Sequence, residues 1–165
     1  MKRRFFLALL PAALVAGCGF QLRRYDGIPF ATLYLDAPAG GDVAQRLRAS
    51  LVADRRTRLV ASADEAEAVL HLGPELRSKA ILSLSGAGRV TEYRLGLTLR
   101  YSVSGRGGAV LAAEETIELT RDVTYDDAQV LAKSAEEALL HRDMTDTASL
   151  RIVRRLQALK PVNGA

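Results

Sequence analysis

The sequence of 165 residues contains one cysteine, two histidines and no tryptophan. A single thiol cannot form a disulfide within the chain, so disulfides cannot stabilise this fold. His71 and His141 lie far apart and have no second cysteine or histidine at a ligand spacing, so we expect no transition-metal site. Aromatic residues make up only 5% of the chain. This is too few for the stacking surfaces that bind single-stranded nucleic acid, so we expect no nucleic-acid partner.

Motifs of catalysis are also missing. The sequence has no G-x-S-x-G nucleophile elbow. The glycines of residues 86–88 and 105–108 lead from strand to strand, so they predict hairpin turns and not phosphate-binding loops. His71 falls on the polar side of a predicted strand near several serines, which leaves a periplasmic Ser-His-Asp hydrolase open as an alternative. We expect a protein without enzymatic activity.

The amino terminus carries a targeting signal. Three basic residues at positions 2–4 precede eleven apolar residues at positions 5–15. A helix needs roughly 20 residues to cross a bilayer core of about 30 Å, so the run is too short for a membrane span. The pattern is typical of a cleaved signal peptide over residues 1–17.

The junction after this segment explains the single cysteine. Val-Ala-Gly-Cys at residues 15–18 resembles the bacterial lipobox, in which the cysteine receives a diacylglyceryl group and an N-acyl chain. An ordinary cleavage site beside an incidental cysteine is the alternative. Cleavage would remove three of the 23 basic residues and none of the 19 acidic ones, so the processed chain would be close to neutral.

The remaining sequence predicts an α+β fold, with two helices packed on one face of a four-stranded mixed, mostly antiparallel sheet. We expect a lipidated tether over residues 18–30, a single domain over residues 31–160 and a tail over residues 161–165. The predicted order is a strand over residues 32–36, a helix over 42–53, a strand over 70–84 with a break or bulge at Pro74, strands over 93–103 and 111–119, and a helix from 126 or 127 to about 159.

Alternation along the strands predicts which side chains face the helices. The apolar residues of the long strand occupy even positions, so its even-numbered side is expected to be buried. In the last strand, an inward position is expected for Ala113. The inward residues of the three strands are expected to be Leu70, Leu72, Leu76, Ala80, Leu82, Leu84, Tyr93, Leu95, Leu97, Leu99, Tyr101, Val103, Leu111, Ala113, Ile117 and Leu119.

Charge is unevenly distributed along the chain. Six basic residues and one acidic residue lie between Arg77 and Arg106, whereas eight acidic and two basic residues lie between Glu114 and Glu137. The first segment predicts a cationic strand surface that suits anionic partners. Solvated strand faces with no binding role are the alternative.

Several short motifs together resemble one known family. These are Cys-Gly-Phe-Gln-Leu-Arg at residues 18–23, Thr-Glu-Tyr at 91–93, Val-Leu-Ala-Lys at 130–133 with Glu136 and Glu137 after it, and Asp-Met at 143–144 followed by Arg-Arg-Leu at 154–156. In this order, over nearly the whole processed chain, they resemble the LPS-assembly lipoproteins of the LptE family.

The resemblance implies a function that periodicity cannot show. It implies an outer-membrane lipoprotein on the periplasmic side, which plugs the LptD barrel, assists its assembly and binds lipopolysaccharide (LPS). Gly19, in place of Asp after the lipidated cysteine, fits release to the outer membrane. Lys133 matches the family's LPS-contacting lysine, and Arg89 lies near its basic loop residue. With the cationic strand residues Arg77 and Lys79, they are the LPS-binding candidates.

A different function stays open beside this one. The chain could be a generic outer-membrane lipoprotein that acts as a scaffold or adaptor for another envelope protein. Co-purification with a barrel the size of LptD distinguishes the two hypotheses.

We predict that Cys18 becomes the lipidated first residue of the mature protein, because the lipobox places small residues before the cut and a thiol after it. Mass spectrometry of the protein purified from membranes should show an acylated amino-terminal cysteine. A Cys18→Ala variant should lack the lipid and leave the membrane fraction. An unmodified mature chain that begins at another residue would contradict the prediction.

Overall fold

The computed structural model describes residues 27–54 and 56–160. The predicted signal peptide, Cys18, most of the tether and the tail lie outside the described residues. In chain order the elements are β1 (Thr32–Asp36), α1 (Asp42–Asp54), β2 (Arg58–Leu59), β3 (Ala68–Leu72), β4 (Leu76–Leu84), β5 (Val90–Gly105), β6 (Val110–Thr124) and α2 (Val130–Ala158).

The sheet is mixed and built around β5. On one side, β6 pairs antiparallel with nearly the full length of β5. On the other side, β3 and β4 follow each other along β5, and both run antiparallel to it. β1 lies beside β3, and β2 lies beside β1, with both pairs parallel. The parallel pairing of β1 with β3 follows from α1, since a crossover helix returns the chain in the same direction.

The predicted α+β class and the two helices are confirmed, but the predicted number of four strands is wrong. The sheet has six strands and is not closed. One additional strand is β2, whose two residues are too short to show any periodicity. The other arises because the predicted strand over residues 70–84 is divided into β3 and β4.

The core lies between the sheet and the two helices. The odd-numbered residues Leu95, Leu97 and Leu99 of β5 are fully buried, as their alternation predicts. Leu47 of α1 and Met144 of α2 are buried against the same cluster. Fully burying one such side chain contributes about 1.5–3 kcal/mol, so this layer dominates the stability of the domain.

One extra residue between β3 and β4 reverses the faces of the long strand. Leu72 pairs with Tyr101, whereas Leu76 pairs with Thr98, so four residues on one strand oppose three on its partner. The register therefore shifts by one residue at positions 73–75, where Pro74 was predicted to cause a break or bulge. A shift of one residue moves every later side chain to the opposite face of a sheet.

Two expectations about buried residues are wrong: that the even-numbered side of β4 faces the core, and that Ala113 of β6 does. After the shift, Leu76 and Ala80 pair with outward-facing residues of β5, and Leu76 is 57% exposed. Leu82 and Leu84 are also exposed, and all of β4 lies largely outside the core. In β6, a second register shift opposite Tyr101 and Val103 buries Ala112 and leaves Ala113 exposed.

The longest helix of the described ranges is α2, with 29 residues. Its stripe of Met144, Ala148, Ile152 and Leu156 faces the core, and charged residues cover the other sides. Within residues 27–54 and 56–160, no helix combines the length and the apolar character that a membrane span requires.

The segment between β3 and β4 also makes a hydrogen bond to the first turn of α1. Glu75 Oε1 accepts a hydrogen bond of 2.7 Å from the backbone N–H of Val43. This bond satisfies one of the unpaired N–H groups at the helix amino terminus and places a negative charge at the positive end of the helix dipole. Gly73 N–H, in turn, donates to the carbonyl of Arg100 at 2.8 Å.

We predict that Glu75→Ala lowers the free energy of unfolding by about 1 kcal/mol, because it removes a side-chain cap of a helix. Glu65→Ala is the matched control, since the exposed Glu65 carboxylate caps no helix. Urea unfolding followed by circular dichroism measures both variants. An equal loss of stability in the two would show that the cap contributes nothing.

Candidate functional site

Lys133 lies in the first turns of α2 and contacts the end of β6. Its Nζ donates hydrogen bonds of 2.9 Å to Thr124 Oγ1 and to Glu136 Oε2. Only 18% of its side chain is exposed. The lysine is therefore held in one place by a hydroxyl and by a carboxylate one helical turn away, and an anion must share it with Glu136.

Arg89 lies at the turn between β4 and β5. The backbone of this turn is closed by a hydrogen bond of 2.7 Å from Ser85 N–H to the carbonyl of Arg89. The guanidinium of Arg89 is exposed and has no hydrogen-bond or ion-pair partner among the described residues. It is free to bind an incoming anion.

The structure places Lys133 and Arg89 at the same end of the sheet. Thr124, the partner of Lys133, pairs with Glu92 of β5. Arg89 precedes Glu92 by three residues, which corresponds to roughly 10 Å along a strand. We call the surface formed by Lys133 and Arg89 the sheet-end surface.

Arg77 and Lys79 lie in a different place. Both occupy odd positions of β4, which face the helices after the register shift. Arg77 forms an ion pair with Asp42 at the start of α1, and Lys79 forms one with Glu137 of α2. Lys79 Nζ also lies 4.5 Å from the ring centroid of Tyr93, in a cation–π contact. These two candidates bind the helices to β4.

The predicted cationic strand surface is largely neutralised, because the basic strand pairs with the acidic one. Arg94 of β5 donates two hydrogen bonds, of 2.8 and 2.9 Å, to Asp122 of β6. The hydrogen bonds from this guanidinium lower the pKa of Asp122, and the carboxylate raises the pKa of Arg94. Arg100 lies 3.6 Å from Glu114 in the same arrangement.

The structure does bring a serine, a histidine and an aspartate together. His71 Nδ1 lies 2.9 Å from Asp36 Oδ2, and its Nε2 lies 3.0 Å from Ser104 Oγ. The three residues belong to neighbouring strands, on the sheet face opposite the helices. Ser104 lies on β5, which is paired on both sides, so its backbone cannot supply the free N–H donors of an oxyanion hole. The geometry is that of cross-strand hydrogen bonding.

A groove lies between β4 and the two helices, with a volume of about 710 Å³. The sequence analysis did not predict the groove residues on α1 and α2. They lie beside β4 only because the register shift turns the odd-numbered side chains of β4 toward the helices. The side chains that line it are charged or polar, apart from one alanine: Asp42, Arg46, Arg77, Ser134, Glu137, Ala138, His141, Arg142 and Thr145. Among the described residues, no cluster of histidine, aspartate and glutamate has the geometry of a metal site.

Several large apolar side chains are exposed on β4 and at the start of α2. Leu76 and Leu84 of β4 are each 57% exposed, and Ile81 is similarly open. Leu131, in the first turn of α2, is 86% exposed, and Val130 beside it is half exposed. Exposed apolar side chains on an unpaired edge strand such as β4 are typical of an edge that another chain covers.

Comparison with known proteins identifies the family. The family model described as LptE, lipopolysaccharide-assembly, matches residues 30–156. The LPS-assembly lipoprotein LptE of Photorhabdus laumondii is 27% identical over 94% of this chain and 87% of the relative. The protein of the same name from Pectobacterium atrosepticum is 28% identical over 94% of this chain and 86% of the relative.

A solved structure of a lipoprotein has the same fold. The solution NMR structure of a lipoprotein B from Nitrosomonas europaea is 37% identical to this chain and superimposes with a TM-score of 0.74. The match covers 85% of this chain and 91% of that chain. The family resemblance inferred from the motifs is thus confirmed: the chain belongs to the LptE family, a family of non-enzymatic lipoproteins of lipopolysaccharide assembly.

Proposed function

We propose that this protein is an outer-membrane lipoprotein that plugs the LptD barrel, assists its assembly and binds LPS on its way to the outer leaflet. The observation that carries the proposal is the match of the LptE family model to residues 30–156, which is nearly the whole described domain. The relatives named LPS-assembly lipoprotein LptE supply the biological context.

The membrane attachment proposed here is a lipid on Cys18. The first strand, β1, begins at Thr32, fourteen residues after this cysteine. A tether of that length holds the domain close to the inner surface of the outer membrane. In this position the domain can enter a barrel from the periplasmic side.

The exposed apolar side of β4 supports the role of a plug. Leu76 and Ala80 lie on the outer face of a strand whose far edge has no neighbour among the described strands. Open strand edges with apolar side chains pair or aggregate readily unless a partner covers them. A barrel wall around the domain would cover this edge, in an interface of at least about 1,000 Å² in total.

The sheet-end surface is the proposed contact with LPS. Lys133 and Arg89 provide two cations at one end of the sheet, and Lys and Arg gain strong charge-assisted hydrogen bonds from phosphate groups. The guanidinium of Arg89 has no partner among the described residues, and Lys133 is paired with a single carboxylate, that of Glu136. Arg77 and Lys79 are weaker candidates for first contact, since Asp42 and Glu137 already hold them.

We predict that a Leu76→Glu/Leu84→Glu variant loses its barrel partner, because two carboxylates on the outer side of β4 would have to be buried in the interface. The affinity-tagged, lipidated full chain is purified from detergent-solubilised envelopes, and retained proteins are identified by mass spectrometry. Wild type should retain a barrel of LptD size, and the variant should retain far less.

The control is Val52→Glu/Leu150→Glu, which introduces the same charges at exposed apolar positions of the two helices. Equal retention by both double variants would exclude the β4 face as the interface. Retention of a different envelope protein by wild type would favour the scaffold hypothesis over the plug.

We predict that Arg89→Asp/Lys133→Asp weakens LPS binding by about tenfold or more, because a hydrogen bond to a charged group contributes about 1.5–3 kcal/mol. Titration of the full chain with LPS at two salt concentrations should also show a weaker salt dependence in the variant. Arg151→Asp/Arg154→Asp on α2 makes the same change of charge at two exposed arginines away from this surface. LPS affinities that fall equally in both variants would indicate a general effect of charge.

A further inference from the structure

Lys133 shares its positive charge with one carboxylate, that of Glu136. Glu136 Oε2 accepts a hydrogen bond of 2.9 Å from Lys133 Nζ, and the lysine donates a second bond of the same length to Thr124 Oγ1. An ammonium group has three N–H donors. Two of them are therefore in use, and a phosphate oxygen that reaches Lys133 finds one donor with a carboxylate beside it.

The surroundings of the lysine explain the value of this pair to the protein without a ligand. The side chain of Lys133 is mostly buried, so its ammonium group is partly removed from water. A partly buried charge without a counter-charge is costly, and a hydroxyl such as that of Thr124 does not neutralise it. Glu136 supplies the counter-charge and thereby lowers the free energy of the unliganded state.

Glu136 is also free to leave the lysine. Its side chain is about half exposed, and Lys133 is its only ion-pair partner within residues 27–54 and 56–160. The neighbouring Glu137, by contrast, is less exposed and pairs with Lys79 of β4. One ion pair between positions i and i+3 of a helix changes an equilibrium by only about twofold. An arriving phosphate can therefore displace the Glu136 carboxylate into solvent.

We propose that Glu136 is a competing anion, built into the chain, that limits the affinity of Lys133 for LPS phosphate and favours its release. The inference rests on the proposed contact of LPS with the sheet-end surface. The phosphate displaces Glu136 on binding, and the carboxylate, held within one helical turn, returns to the ammonium group as the phosphate leaves. While both anions lie near Lys133, their repulsion weakens binding further. Arg89 has no such competitor among the described residues.

Glu136→Gln tests the proposal, since glutamine keeps the shape and a hydrogen-bond acceptor but loses the charge. The lipidated full chain in nonionic detergent is titrated with fluorescently labelled LPS. The variant should bind about fivefold more tightly than wild type, because it loses both the competition and the repulsion. Release into excess unlabelled LPS should slow accordingly, since affinity changes within one interface lie mostly in the off-rate. Unchanged or weaker binding, as a purely structural ion pair predicts, would refute the proposal.

Two further comparisons show whether Glu136 acts through Lys133. In a Lys133→Gln background, Glu136→Gln should change LPS affinity by less than about twofold, because the lysine for which it competes is absent. Tightening that persists without the lysine would refute the proposal.

Glu118→Gln is the control for net charge. It removes an exposed carboxylate of β6 that has no ion-pair or side-chain hydrogen-bond partner among the described residues. Glu118 lies six residues before Thr124 on the same strand, a distance of roughly 20 Å, so its charge is largely screened at Lys133. The substitution should leave LPS affinity unchanged. Equal tightening by Glu118→Gln and Glu136→Gln would show a general effect of charge and overturn the inference.

The single variant Lys133→Gln separates this inference from the function on which it rests. It should bind LPS more weakly than wild type. If wild type binds no LPS, or if Lys133→Gln binds as tightly as wild type, the proposed LPS contact fails and the inference fails with it. If Lys133→Gln binds more weakly but Glu136→Gln does not bind more tightly, only the role of Glu136 is refuted.

Discussion

One extra residue between β3 and β4 determines which side chains of β4 are exposed and which face the helices. The shift at residues 73–75 leaves β3 with its even-numbered side chains in the core and β4 with its even-numbered side chains on the outside. The even-numbered leucines of β4, which continue the apolar pattern of β3 in the sequence, are therefore exposed on the outer face of the sheet. Arg77 and Lys79 face the helices. The exposed apolar strand and the charged groove are two consequences of the same bulge.

Pairing between β5 and β6 determines where positive charge remains. Ion pairs such as that of Arg94 with Asp122 are exposed, so each contributes little to stability. Their effect is on recognition, because they neutralise the middle of the sheet. Cations that are free or loosely held remain at the sheet end, with Arg89, and in the groove, with Arg142. The centre of the sheet thus presents paired charges of both signs.

The outer face of the sheet carries a serine, a histidine and an aspartate in hydrogen-bond contact, and this arrangement alone does not indicate catalysis. Asp36, His71 and Ser104 lie at hydrogen-bond distances that would fit a catalytic triad. They sit, however, on a flat face of paired strands, and the chain belongs to a non-enzymatic family. In this setting the three side chains tie β1, β3 and β5 together. Catalysis would need in addition a bound substrate and donors for its developing charge.

By itself, the sequence determined the local conformations and the family. The alternation over residues 93–103 predicted a strand whose odd side is buried, and Pro74 predicted the bulge, because these signals depend on neighbours along the chain. The motifs that include Lys133 identified the family for the same reason. Tertiary structure alone decided which way β4 faces, which acid meets Arg94, and that Arg46, Arg77 and Arg142 share a groove. These features depend on strand register and on packing between distant segments, and no local pattern of residues encodes either.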